Sequence, residues 1–96
     1  MQETSNKTAT LIEKEQIPNL NFKNTSPVEQ QPDLRKKLVE ATKLGNIHHG
    51  KIRIEFMDDD SEKYVETTIW ATGAKYICLK GGMWLPIDRI LAIRMV

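Results

Sequence analysis

Hydrophobic and polar positions change their spacing twice along this chain. In the first 32 residues the apolar side chains Leu11, Ile12, Ile17, Leu20 and Phe22 keep neither a helical nor a strand period, and they sit among Gln, Asn, Thr, Ser and three of the four prolines. Such a stretch buries too little surface to offset the entropy of ordering it. Residues 1–32 are therefore expected to be a disordered arm ahead of a folded domain at 33–96. Within the arm, Leu20-Asn21-Phe22 has the character of a segment that adds to a partner's sheet edge.

A helical spacing begins at Pro32-Asp33, where Leu34, Leu38, Ala41 and Leu44 recur at intervals of four, three and three. Asp33 is suited to cap the free amides of the first turn, and Gly45 to close the last, which predicts a helix over 33–44. After His48-His49-Gly50 the spacing becomes two: Ile52, Ile54 and Phe56 alternate with Lys51, Arg53 and Glu55. That alternation predicts a half-buried strand. Residues 57–62 break it with turn formers. Tyr64 to Ala71 then puts Val65, Thr67, Ile69 and Ala71 on one face and Tyr64, Glu66, Thr68 and Trp70 on the other. A third strand runs from Lys75 to Lys80, and Gly81-Gly82 reads as a two-residue hairpin turn with both residues at positive φ. Met83 to Pro86 is a short strand ending at an edge proline, Ile87-Asp88-Arg89 a tight turn, and Ile90 to Val96 the last strand.

One helix followed by five short antiparallel strands is too little for an open sheet with a good core. The expected fold is mostly β, an N-terminal helix followed by a strongly bent SH3/Sm-like barrel with the helix over one end. Its core is expected from Leu34, Leu38, Leu44, Ile52, Ile54, Phe56, Val65, Ile69, Ile77, Leu79, Leu85, Ile87, Ile90 and Ile93. So small a core makes self-association reasonable.

Composition narrows this picture. The 96 residues are 40% hydrophobic, 6% aromatic and 28% charged, with a net charge of +1. The arm carries a net −1 and the remainder +2, which argues against a basic nucleic-acid arm. No apolar run is long enough to span a bilayer, no secretory signal is visible, and the single cysteine, Cys78, forbids an internal disulfide. A cytoplasmic protein without a membrane partner is expected.

The order of KIRIEF, YVETTIWA, KYICLKGG, MWLPI and DRILAI behind the helix, covering residues 33–96, resembles the Sm and Sm-like fold, which includes the Hfq-type RNA chaperones. It is similar, more distantly, to the Rho-binding antiterminator family and to short bacterial proteins without an assigned activity. The resemblance implies a ring oligomer, closed by pairing the fourth strand of one subunit with the fifth of the next. It also implies that the loops at 71–75 and 86–89 bind single-stranded RNA. The Asp and Asn of an Sm-type site and the Tyr-Lys-His of an Hfq-type one are absent, leaving Lys75 and Arg89 to meet a phosphate. Five-stranded SH3-like barrels share the strand count and often bind proteins.

Candidate chemistry is sparse. Asp58-Asp59-Asp60 with Glu62 lacks the alternate spacing and glycine of a calcium loop, and His48 and His49, being adjacent, point apart. Cys78 lies mid-strand without an evident base. No metal, cofactor or catalytic residue is expected. Tyr64, Trp70, Tyr76 and Trp84 are placed to share the outer sheet face, interleaved with Lys51, Arg53, Lys63, Lys75 and Lys80. The expected function is a non-enzymatic binding module for single-stranded RNA through Lys75, Arg89, Trp70 and Tyr76. The alternative is an SH3-like protein-interaction module, as a homo-oligomer, that holds a peptide or its own tail at a sheet edge.

Overall fold

The computed structural model describes residues 9–48 and 50–96, with side chains for 9–47 and 50–96. The chain runs through β1 (Thr10–Leu11), a 3-10 turn (Lys14–Asn19), α1 (Leu34–His48), β2 (Ile52–Met57), β3 (Glu62–Thr67), β4 (Ile69–Thr72), β5 (Tyr76–Leu79), β6 (Trp84–Pro86), a second 3-10 turn (Ile87–Arg89) and β7 (Ile90–Met95). The strands form two sheets, ordered β1-β3-β2-β7 and β4-β5-β6. No ladder among the described residues closes them into the expected barrel.

The break lies within the stretch that the alternation reads as one strand. Thr67, Thr68 and Ile69 are all buried, which breaks the in-and-out alternation of a strand with one face on the core. The chain bends at Thr68, whose hydroxyl donates to the Gly50 carbonyl (2.9 Å), and β4 enters the second sheet. A register shift between Ile69 and Ala71 then leaves both Trp70 and Ala71 exposed. The two inner faces meet over Ile54, Phe56, Val65, Ile69, Ile77, Leu79, Leu85 and Ile90, all fully buried.

Helix α1 packs on β4 and on β7, so it ties the two sheets together. It continues past Gly45 to His48. A Cβ at Gly45 would lie 2.8 Å from Thr68 Cγ2 and 3.1 Å from the Ile69 carbonyl oxygen, so this glycine marks a close approach to the bend rather than a helix end. Leu34, Leu38, Ala41 and Gly45 face inward, and Leu44 is exposed instead of buried; Ile87 is only half-buried. At the other end Asp33, at φ 59°, meets the first turn through its carbonyl, which accepts the Lys37 amide (3.0 Å). The β5–β6 hairpin has Gly81 and Gly82 at φ 92° and 93° as expected. Its loop is one residue longer, because Leu79 N donates to Met83 O (2.8 Å) and Lys80 joins the connection.

Residues 9–32 lie against the sheets as a strap rather than as part of a disordered arm; residues 1–8 fall outside the described residues. The strap's apolar residues are held at separate places, Leu11 by backbone pairing while its side chain stays exposed, and Ile17, Leu20 and Phe22 by packing on the core. Leu11 pairs with Tyr64 in parallel, Ile17 is buried in the core, and the Phe22 ring lies 6.0 Å from that of Phe56. Polar ties alternate with these anchors: the Asp59 carboxylate accepts the Lys23 and Asn24 amides (3.0 and 2.9 Å). Gln30 Nε2 donates to the carbonyls of Ile87 and Ile90 (both 2.8 Å). Gln31 N donates to Leu91 O (2.8 Å), and its Oε1 accepts the Ile93 amide (3.1 Å), so Gln31 sits on the outer edge of β7.

Candidate functional site

The strap does not lie flat everywhere. Between its 17–25 portion, β6 and the second 3-10 turn it leaves a groove of about 500 Å³. Ile17, Leu20 and Phe22 form one wall; Tyr76, Met83, Trp84 and Pro86 form the other; Lys75, Asp88 and Arg89 close one end.

The pairing of β5 with β6 sets what the second wall offers. Ile77 faces Leu85, and Leu79 N and Ile87 N bond to Met83 O and Lys75 O (2.8 and 2.9 Å). Residues 83, 85 and 87 thus direct their backbone groups toward β5, and antiparallel geometry turns those of Trp84 and Pro86 to the outer edge. Among the described residues nothing is hydrogen-bonded to the Trp84 amide or carbonyl there. The edge therefore presents one donor and one acceptor, both at Trp84, while Pro86 leads into the 3-10 turn Ile87–Arg89.

Of the residues expected to form the site, Lys75, Tyr76 and Arg89 do come together along this groove. Trp70 does not line it; it stands on β4, on the same outer sheet face, 49% exposed. Tyr76 and Trp84 are 48% and 58% exposed. Trp84 takes the place that the sequence reading gave to Trp70. Its position follows from the hairpin, since pairing across Gly81-Gly82 sets Tyr76, Cys78, Trp84 and Pro86 on one face. The strap wall, Leu20 and Phe22, had no signal beyond its apolar character. Tyr64 is on the first sheet, with the Arg53 guanidinium 3.7 Å over its ring, and so leaves the aromatic group.

Arg89 differs from expectation in its exposure. The residue is only 4% exposed, and its guanidinium donates a short hydrogen bond to the Ser26 carbonyl, fastening the strap. Lys75 is exposed, with no ion pair among the described residues.

The acidic turn is structural. Asp58 accepts the Asp60 and Ser61 amides (both 2.9 Å) and pairs with Lys63 (2.8 Å), while Asp59 holds the strap. Burial works to raise the Asp58 carboxyl, but the Lys63 ammonium and the Ser61 and Asp60 amides outweigh it and hold the carboxyl below the usual range. Among the described residues no group of three or more His, Cys, Asp or Glu is placed around a metal ion. His49 and the His48 side chain lie outside the described residues. No described helix is long and apolar enough to cross a membrane. Comparison of the chain with models of protein families, with curated proteins and with solved structures found no match in any of the three.

Proposed function

We propose that this protein is a non-enzymatic module that binds an extended stretch of polypeptide in the groove beside β6. The observation that carries this reading is the unpaired edge of β6 inside a groove with apolar walls. The outward amide and carbonyl of Trp84 match one residue of an extended peptide backbone, and Leu20, Phe22, Tyr76 and Trp84 supply surface for its side chains. The bent strand shared between two sheets and the 3-10 turn before β7 support a small, open SH3/Sm-like barrel as the finer description of the fold. Cys78, whose thiol reaches only the Leu79 carbonyl (3.7 Å), fits a reducing, cytoplasmic setting without catalysis.

A single-stranded RNA reading draws on the exposed Trp70, Tyr76 and Trp84 beside Lys75 and Lys80. Against it stands the charge of the groove lining, where Lys75 and Arg89 are set against Asp88: one net positive charge can answer a single anionic group but not a run of phosphates. An Sm-type ring would in addition need the outer edge of β7, where Gln31 sits.

The test is selection of a random short-peptide library on the full chain, followed by amide hydrogen exchange. Selected peptides are expected to slow exchange at Trp84 and to bind Trp84→Ala and Tyr76→Ala at least about tenfold more weakly. A library that yields no binder, with a mixed-sequence RNA oligonucleotide binding in a salt-dependent way, replaces this reading with the RNA one.

A further inference from the structure

Arg89 is unusual among the charged groups of the molecule. It is almost wholly buried and, among the described residues, it has no carboxylate partner and only one of its five N–H donors is engaged, on the Ser26 carbonyl. Its neighbour Asp88 points its charge to solvent and makes no ion pair with it. A buried guanidinium left short of acceptors is costly, and polar groups in that state are ordinarily satisfied by water or by a ligand. Arg89 also lines the groove, at the end where Lys75 is exposed. Of the charged residues that line the groove, Lys75 and Arg89 are cationic and Asp88 alone is anionic.

We infer that the groove reads an acidic residue of its polypeptide ligand, with Arg89 and Lys75 receiving the carboxylate while the segment's backbone lies along β6. This rests on the polypeptide reading above and adds the chemical class of the segment: apolar residues over Tyr76 and Trp84, followed by Asp or Glu. The geometry suits the pairing. Arg89 follows the edge residue Pro86 by one 3-10 turn, so a strand laid beside Trp84 passes the guanidinium within a residue or two of its paired stretch. A planar fork with unspent donors matches a carboxylate in two-point fashion, which the Lys75 ammonium at the rim reinforces. Because one donor of the same guanidinium holds Ser26, the ligand's carboxylate and the strap share one cation.

The experiment uses peptides selected on the full chain, each resynthesised with its acidic residue changed from Glu to Gln or Asp to Asn. Binding is expected to fall about tenfold or more for the neutral partner, and the gap to narrow as salt is raised. In Arg89→Met the ratio between acidic and neutral peptides is expected to collapse toward one, and in Lys75→Ala to shrink by a smaller factor. The ratio is read within a single variant, so a lower folded fraction after loss of the Ser26 tie cancels. Arg89→Lys keeps the charge without the fork and is expected to retain only part of the discrimination. Selected peptides that bind equally well in acidic and neutral form, or a ratio that Arg89→Met leaves unchanged, overturn the inference and leave the polypeptide reading standing. Failure of the whole library to bind removes both.

Discussion

The outer faces of the two sheets carry similar side chains and dispose of them in opposite ways. On the first sheet Arg53 lies 3.7 Å over Tyr64 and bonds Glu55 (2.8 Å), Arg94 bonds the same carboxylate (3.2 Å), and Lys63 closes on Asp58. Arg53, Glu55, Lys63, Tyr64 and Arg94 each have a neighbour to answer them. On the second sheet Trp70, Tyr76 and Trp84 stand about half exposed, with no ring or cation partner among the described residues. A protein that covers one aromatic with a guanidinium and leaves three bare has spent its own contacts on one face only. The bare face, and the groove along its edge, is where an outside molecule gains most.

That contrast can be broken from either side. The largest effect is expected at Asp58→Ala, which leaves the largely buried Lys63 without its partner and two amides without an acceptor; urea unfolding should show a loss of about 3 kcal/mol. The pH dependence carries the same sign. The folded chain keeps Asp58 ionised where the unfolded chain, with a value near 3.9, already takes up a proton. Its contribution is therefore complete above that value and is lost as pH falls through the lower folded one, so wild type and Asp58→Asn should converge in stability between about pH 5 and 2. An unchanged gap across that range would remove Asp58 from the account of the first sheet.

Gly45→Ala comes next. In an isolated helix alanine gains about 1 kcal/mol over glycine, whereas here its methyl meets Thr68 and the Ile69 carbonyl, and a net loss of about 1–3 kcal/mol is expected. A gain would mean that α1 does not press on the bend that starts the second sheet. Arg53→Ala should cost about 1 kcal/mol on the first face. Trp70→Ser and Trp84→Ser on the second should change thermal stability by less than about 0.5 kcal/mol, Trp84→Ser while weakening peptide binding. Equal costs on the two faces would dissolve the comparison.

Much of this was legible in the chain. Alternation located β2, β5 and β7 to within a residue or so, and Gly81-Gly82 announced its hairpin, because those signals arise from local backbone chemistry. The gathering of Lys75, Tyr76 and Arg89 followed from the two loops lying at one end of the second sheet. The bend at Thr68 was not legible, since a run of β-branched residues has the same pattern whether it stays in one sheet or changes to another. Gly45 misled because one residue serves both a left-handed helix end and a close approach. The strap escaped for a related reason: Leu11, Ile17 and Phe22 anchor at separate places, and separate anchors impose no period. The burial of Arg89 depends on the carbonyl of Ser26, 63 residues earlier in the chain, and no local spacing encodes that.

The strap's fastening to β7 also sets an order of events during synthesis. Gln31 emerges 60 residues before Leu91, the carbonyl that its amide meets. At about 5–20 residues per second the wait is roughly 3–12 s, during which this segment has no place to dock. The segment around Gln31 is thus among the last to settle, although it is made before the strand that holds it. Until it settles, the rim of the last strand is open to chaperones and to other nascent chains.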